Sequence, residues 1–170
     1  IAERVDLGIL EIPVRQIVGS VSDSDEMLYT YDFMPLAEDA SEFADSWCRM
    51  YQEYLSTRGL TDPIECVEYM GKFYVIDGKK RVSVLKAHGE IRVNAHVVRL
   101  VPVLHDDAQV KKYADFLNVF SKTRLYQVEL SNAEDFPKLQ KAMGLAADQE
   151  WNESDQYHYM FTYIGVERVY

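Results

Sequence analysis

Asp77-Gly78-Lys79-Lys80-Arg81 is the stretch of this 170-residue chain whose residue types and order are best suited to chemistry. The apolar run Tyr74-Val75-Ile76 before it reads as a strand, and Lys79 to His88 after it reads as a short helix. A glycine at such a junction lets a ligand come close to the backbone. The helix then offers N–H groups with no intrahelical partner and the positive end of its dipole, a combination that suits an anion. Lys79, Lys80 and Arg81 add cationic side chains, and an arginine can grip phosphate oxygens in bidentate fashion. Asp77 can fix that geometry, hold a metal or accept a proton, and is the candidate catalytic residue. The run is short, and a strand–turn–helix with solvated basic residues has the same composition.

The elements that must position this turn follow from period and punctuation. Ile9 to Val14 reads as a short strand, with Pro13 marking an edge or a strand end. Gly19 to Asp25 has the composition of a polar loop. Ser41 is placed to cap a helix, along which Phe43, Trp47, Met50, Tyr51 and Tyr54 recur at steps of three and four before Gly59 closes it. Ile64 to Tyr69 and Lys72 to Ile76 are strands joined at Met70-Gly71, a tight hairpin turn. Gly89 stops the Lys79–His88 helix, and Ile91 to Val98 alternates as another strand. After Pro102 the character becomes helical: Val110, Tyr113, Ala114 and Leu117 share a face, Ala133 to Met143 follows, and Tyr157 to Ile164 closes the series. The expected class is α+β, a small mixed sheet with packed helices (residues 1–102) followed by a helical C-terminal extension packed on it (residues 103–170).

Composition narrows the function classes. With 48% hydrophobic and 12% aromatic residues the chain can build a core, and no apolar run approaches the length of a membrane span. The first residues lack a basic region followed by an apolar one, so no signal peptide is expected. Cys48 and Cys66 are too few for a disulfide framework or a four-ligand zinc site, and four scattered histidines lack metal-ligand spacing. A reducing cytoplasm is the simplest compartment. The net charge of −10 opposes binding to a phosphate backbone, yet residues 67–125 hold 11 basic and 6 acidic groups, and the turn lies among them.

The order of these elements resembles the ParB/sulfiredoxin-like superfamily. The resemblance is carried by Ile12 to Ser20, Pro63-Ile64-Glu65, Tyr74 to Gly78, Arg81 to Gly89 and Ile91 to Val97, and spans about residues 9–125. Phe120 to Leu125 is similar to a segment of a bacterial branch of the group. The resemblance implies a nucleotide pocket whose phosphates lie against the glycine-to-arginine turn, with Gly78, Lys79, Lys80, Arg81 and Ser83 as binding residues. Glu65, on the strand before the pocket, would contact the ligand or magnesium. Within the group, partition proteins bind and hydrolyse CTP as DNA clamps, sulfiredoxins use ATP, and some relatives are free-serine kinases.

Departures from the group's patterns shape the expected function. Lys79 stands where sulfiredoxins carry their reactive cysteine, so sulfiredoxin chemistry is not expected. Lysines also replace a histidine common near this turn, which keeps charge but removes a base near neutral pH. The early catalytic acid of the serine kinases has no counterpart after Val18, unless Asp23, Asp25 or Glu26 substitutes. The acidic, aromatic tail offers no basic recognition helix, which disfavours DNA binding by this chain alone. Its aromatics Trp151, Tyr157, Tyr159, Phe161 and Tyr163 would cover the sheet or mediate a homodimer. The expected function is a ParB-like nucleotide- or phosphate-binding regulatory domain of a partition or transcription-regulator type protein, taking ATP, ADP or CTP with magnesium. The alternatives are a small-molecule phosphotransferase or nucleotidase using Asp77, and a degenerate interaction domain without a ligand.

Overall fold

Hydrophobic alternation places five strands in one mixed sheet, described by a computed structural model covering residues 3–22, 28–36, 41–57, 59, 62–103 and 107–167. The strands are β1 (Glu3–Pro13), β2 (Ile17–Ser20), β3 (Ile64–Tyr69), β4 (Lys72–Asp77) and β5 (Arg92–Val101), in the order β1-β5-β3-β4-β2. The central β3 runs parallel to β5 and antiparallel to β4, while β2 runs parallel to β4 and β1 antiparallel to β5. Helices α1 (Glu42–Thr57), α2 (Lys79–His88), α3 (Ala108–Thr123), α4 (Phe136–Ala142) and α5 (Glu153–Glu167) complete an α+β architecture. The chain divides into two compact units, residues 1–103 and 104–170.

In the first unit, one face of the sheet is apolar because Ile64 and Cys66 on β3, Phe73 and Val75 on β4, and Ala95 and Val97 on β5 share one parity, all fully buried. Burial of Cys66 in this face pushes its thiol up to about 12. Two charged residues continue the buried rows. Glu68 and Arg99 are register partners on β3 and β5, and Arg99 Nε donates to Glu68 Oε2. The other Glu68 oxygen accepts the Gly71 N–H at 2.7 Å, so a buried carboxylate also fastens the β3–β4 turn. That turn matches its sequence signal, with φ of 53° at Met70 and 74° at Gly71.

Helix α1 is capped as expected: Ser41 Oγ accepts the Ala44 N–H at 3.1 Å, with Glu42 and Asp45 in the first turn. Its Tyr54, with Trp47, Met50 and Tyr51, packs against Val84 and Leu85 of α2. Trp47 Nε1 donates to Ser83 Oγ at 2.8 Å, tying the two helices. α2 ends at Gly89, whose φ of 81° lets its N–H cap the helix.

Two strands differ from the sequence reading. β1 starts earlier than expected because its period is interrupted by a register shift between Asp6 and Ile9, where Gly8 has a φ of 71°. Residues Gly19 and Ser20, expected in a loop, belong to β2, and the Val21 N–H extends the pairing to Val75 O at 2.9 Å. Backbone pairing with β4 overrides the polar composition there. Asp23, Asp25 and Glu26 lie outside the described residues.

The second unit has its own core of Val119, Val128, Phe136 and Trp151, with Leu125, Leu130 and Leu139 against it. Asp107 caps α3 by accepting the Gln109 N–H at 2.7 Å. Trp151 donates to Gln140, and Gln140 to Gln149 O. The tail aromatics therefore divide: Trp151 is core and Tyr159 donates to Gln127 O, whereas Tyr157 and Phe161 stack together on the exposed side of α5. Among the described residues no helix is long and apolar enough to cross a membrane.

Candidate functional site

The strand directions bring the candidate residues to one end of the sheet. β2 and β4 are parallel and finish together, so the segment after β2 adjoins the turn after β4. There Lys79 Nζ donates to Ser22 O at 2.7 Å. β3 begins at the same end, and its Glu65 is the register partner of Asp77 on β4 and of His96 on β5. Both carboxylates are exposed. His96 Nε2 in turn meets Asp6 Oδ1 at 2.9 Å. The Asp6 carboxyl is held below its usual range, first by the Gly8 N–H and then by His96.

Gly78 makes the turn possible. It caps α2 with φ 100° and ψ 21°, a left-handed conformation suited to glycine, and its carbonyl accepts the Val82 N–H at 2.9 Å. A Cβ at this position would stand 2.8 Å from Ile64 Cγ2 and 3.1 Å from the Arg81 Nε and Nη2. Gly78 has no side chain to cap the helix, and among the described residues no side chain accepts from the N–H groups of Lys80 and Arg81, which are thus open to another acceptor. The geometry offers an anion a helix N-terminus beside two lysines.

Arg81 has acceptors within the protein. Its Nη1 donates to Pro63 O at 2.8 Å and Asp62 O at 3.1 Å, and its Nη2 donates to Asp77 Oδ2 at 2.5 Å. The guanidinium thus ties the entry of β3 to the end of β4 and the start of α2. It is 18% exposed, against 69% for Asp77. Ser83 is fully buried, with its hydroxyl committed to Trp47. The structure brings Glu65, Asp77, Gly78, Lys79, Lys80 and Arg81 together at the sheet end, and leaves Ser83 behind the helix, against α1.

Residues that the sequence reading did not select also border the turn. Lys80 Nζ donates to Ser46 Oγ at 2.7 Å and stands 5.6 Å from the centre of the Phe43 ring. Phe43 and Ser46 are three apart on α1 and share a face, a spacing that the sequence displays once α2 is known to lie beside α1. Tyr29 meets Phe43 edge to face at 5.3 Å. Farther along α2, Lys86 Nζ donates to Ile17 O at 2.9 Å and lies 5.0 Å from the Phe33 ring centre. Burial lowers the pKa of Lys86, with Asp32 opposing the shift.

Among the described residues no group of three or more His, Cys, Asp or Glu side chains is arranged to hold a metal ion. Glu65 and Asp77 form a pair of carboxylates at the turn, the complement with which magnesium is commonly held when phosphate oxygens supply further ligands.

No protein-family model matches the chain, and no curated protein matches it. Solved structures do. The chain is similar to a sulfiredoxin from Arabidopsis thaliana at 16% identity and a TM-score of 0.35, over 52% of this chain and 82% of that one. It is also similar to a Pnob8-like ParB-N domain at 14% identity and a TM-score of 0.36, over 72% of this chain and 40% of that one.

Proposed function

We propose that the Asp77–Arg81 turn binds the phosphate groups of a nucleotide and that the chain acts as a ParB-like, nucleotide-responsive regulatory domain. The observation that carries this reading is the uncapped start of α2 at the left-handed Gly78, with Lys79 and Lys80 beside it. An anion there would satisfy the N–H groups at the helix start and meet two ammonium groups. Magnesium, if bound with the nucleotide, would be held by Asp77 and Glu65 and would neutralise phosphate charge. The exposed pairing of these two carboxylates supports a second reading, a phosphotransferase or nucleotidase in which one of them accepts a proton.

Thermal unfolding with ATP, ADP, CTP or GTP, each with magnesium, tests the binding. A ligand at 100 times its dissociation constant adds about 2.7 kcal/mol of stability. One nucleotide should raise the unfolding temperature, and the Lys79→Ala/Lys80→Ala variant should lose the effect. No shift with any of the four would remove the reading and favour an interaction domain without a ligand. Turnover of the bound nucleotide that Asp77→Asn abolishes would establish the second reading.

A further inference from the structure

The position of Lys80 has a bearing on what the rest of the ligand is. Arg81 is committed to Asp62 O, Pro63 O and Asp77, so its Nη1 hydrogens already have acceptors within the protein. The cations with reach are Lys79 and Lys80. Lys79 is held at Ser22 O and Lys80 at Ser46 Oγ on α1. An anion at the helix start that draws Lys80 lies close to α1, where the ammonium now has its partner. There the neighbouring side chain is Phe43, a half-buried aromatic ring at the beginning of α1.

We infer that Phe43 is the platform for a planar ring of the ligand, and that Lys80 is the group that exchanges places with it. This rests on the phosphate-binding reading of the same turn. At rest the Lys80 ammonium stands 5.6 Å from the Phe43 ring centre, a cation–π arrangement, and is steadied by Ser46 Oγ. Ser46 Oγ in turn donates to the Phe43 backbone carbonyl at 2.9 Å, which fixes the hydroxyl that holds Lys80 to the helical turn that carries the ring. Tyr29 meets the ring at 84° and so helps to fix its plane. A phosphate at the helix start competes for the ammonium with a full negative charge, which outweighs a ring quadrupole. Once Lys80 turns to the phosphate, the ring position it occupied is open to a flat, polarizable group. A nucleobase attached to that phosphate is such a group, and stacking tolerates any base because each presents a π face. The sugar-phosphate's base selectivity would then come from groups other than Phe43, while preference for a nucleotide over bare phosphate would come from Phe43 itself.

The test compares the full chain with tripolyphosphate and with ATP, each with magnesium, by isothermal titration. Tripolyphosphate has the charge and lacks the ring. The wild type should bind ATP at least about fivefold more tightly than tripolyphosphate, the lower end of the range for one base stacked on an aromatic side chain. Phe43→Leu, which keeps an apolar side chain and so guards against misfolding, should reduce ATP affinity to near that of tripolyphosphate and leave tripolyphosphate binding as tight or slightly tighter, because the ring no longer competes for the Lys80 ammonium. Phe43→Trp should preserve or strengthen the ATP preference. Lys80→Met should weaken both ligands. The inference is overturned if both ligands bind and Phe43→Leu changes them equally or changes neither. If neither ligand binds the wild type, the phosphate-binding reading itself has failed, and the inference falls with it.

Discussion

Replacing Gly78 by alanine would add one methyl group at the point where β3, β4 and α2 meet. Two costs follow from the geometry. The residue has φ 100° and ψ 21°, and a left-handed conformation costs a non-glycine residue about 1–2 kcal/mol. The new Cβ would also stand 2.8 Å from Ile64 Cγ2, inside any normal contact distance, and Ile64 is fully buried with no room to retreat. Forcing a methyl group into packed surroundings costs about 1–3 kcal/mol, so the total is about 2–5 kcal/mol. Gly71 supplies the control, because its φ of 74° carries the backbone cost while a Cβ there would meet nothing within 4 Å. The two tryptophans divide between the two units, Trp47 in the first and Trp151 in the second. Urea unfolding followed by fluorescence in a Trp151→Phe background therefore reads the unit that contains the turn. Gly78→Ala should lower the midpoint clearly further than Gly71→Ala does. Equal losses for the two would refute the argument that Ile64 and Arg81 crowd the turn.

Two further predictions concern buried groups of the same unit. Glu68→Gln takes from the buried Arg99 the carboxylate charge that its Nε meets, and should destabilise by about 3–5 kcal/mol in denaturant unfolding. Exchanging both residues for apolar ones of similar volume should recover most of that loss, and a single-variant cost below about 1 kcal/mol would contradict the buried pairing. Burial, followed by a hydrogen bond to Glu90, pushes the Tyr54 phenol up to about 12 from its ordinary 10.0. The folded chain thus keeps a proton that the unfolded chain has lost. Stability from this group is complete below pH 10 and drains away as pH rises toward 12. Tyr54→Phe should flatten the stability profile over that range, the remaining slope belonging in part to the Cys66 thiol. An unchanged slope would show that Tyr54 does not titrate as its burial requires.

The parts of the fold that the sequence made legible are those held by local signals. β3, β4 and α2 follow from alternation broken by Met70-Gly71, Gly78 and Gly89, each glycine standing where the backbone turns left-handed. The Ser41 cap and the aromatic face of α1 were legible for the same reason. β2 was not, because four residues including Gly19 and Ser20 carry no strand pattern and owe their conformation to β4, far away in sequence. Glu68 and Arg99 had a signal that went unused: each stands in phase with the inward residues of its strand, Ile64 and Cys66 in one case and Ala95 and Val97 in the other. At the site, the turn could be selected from residue types alone, but the partners of Arg81 are carbonyls of Asp62 and Pro63, which any residue supplies. Backbone acceptors are invisible to a reading of side chains. The placement of Lys80 over Phe43 needed the packing of α1 against α2.

The pairing of β1 with β5 sets Glu3 directly across from Val101, so the first unit begins and ends at neighbouring positions of the sheet. As the chain leaves the ribosome, β1 must wait for β5, whereas the β3–β4 hairpin can close as soon as it is made. The edge of the sheet is completed only when nearly the whole unit has been synthesised. Neighbouring ends also make the unit a natural subject for circular permutation. A short linker from Val101 to Glu3, with new termini at the exposed Tyr31, would keep every strand pairing while changing the order in which they become available.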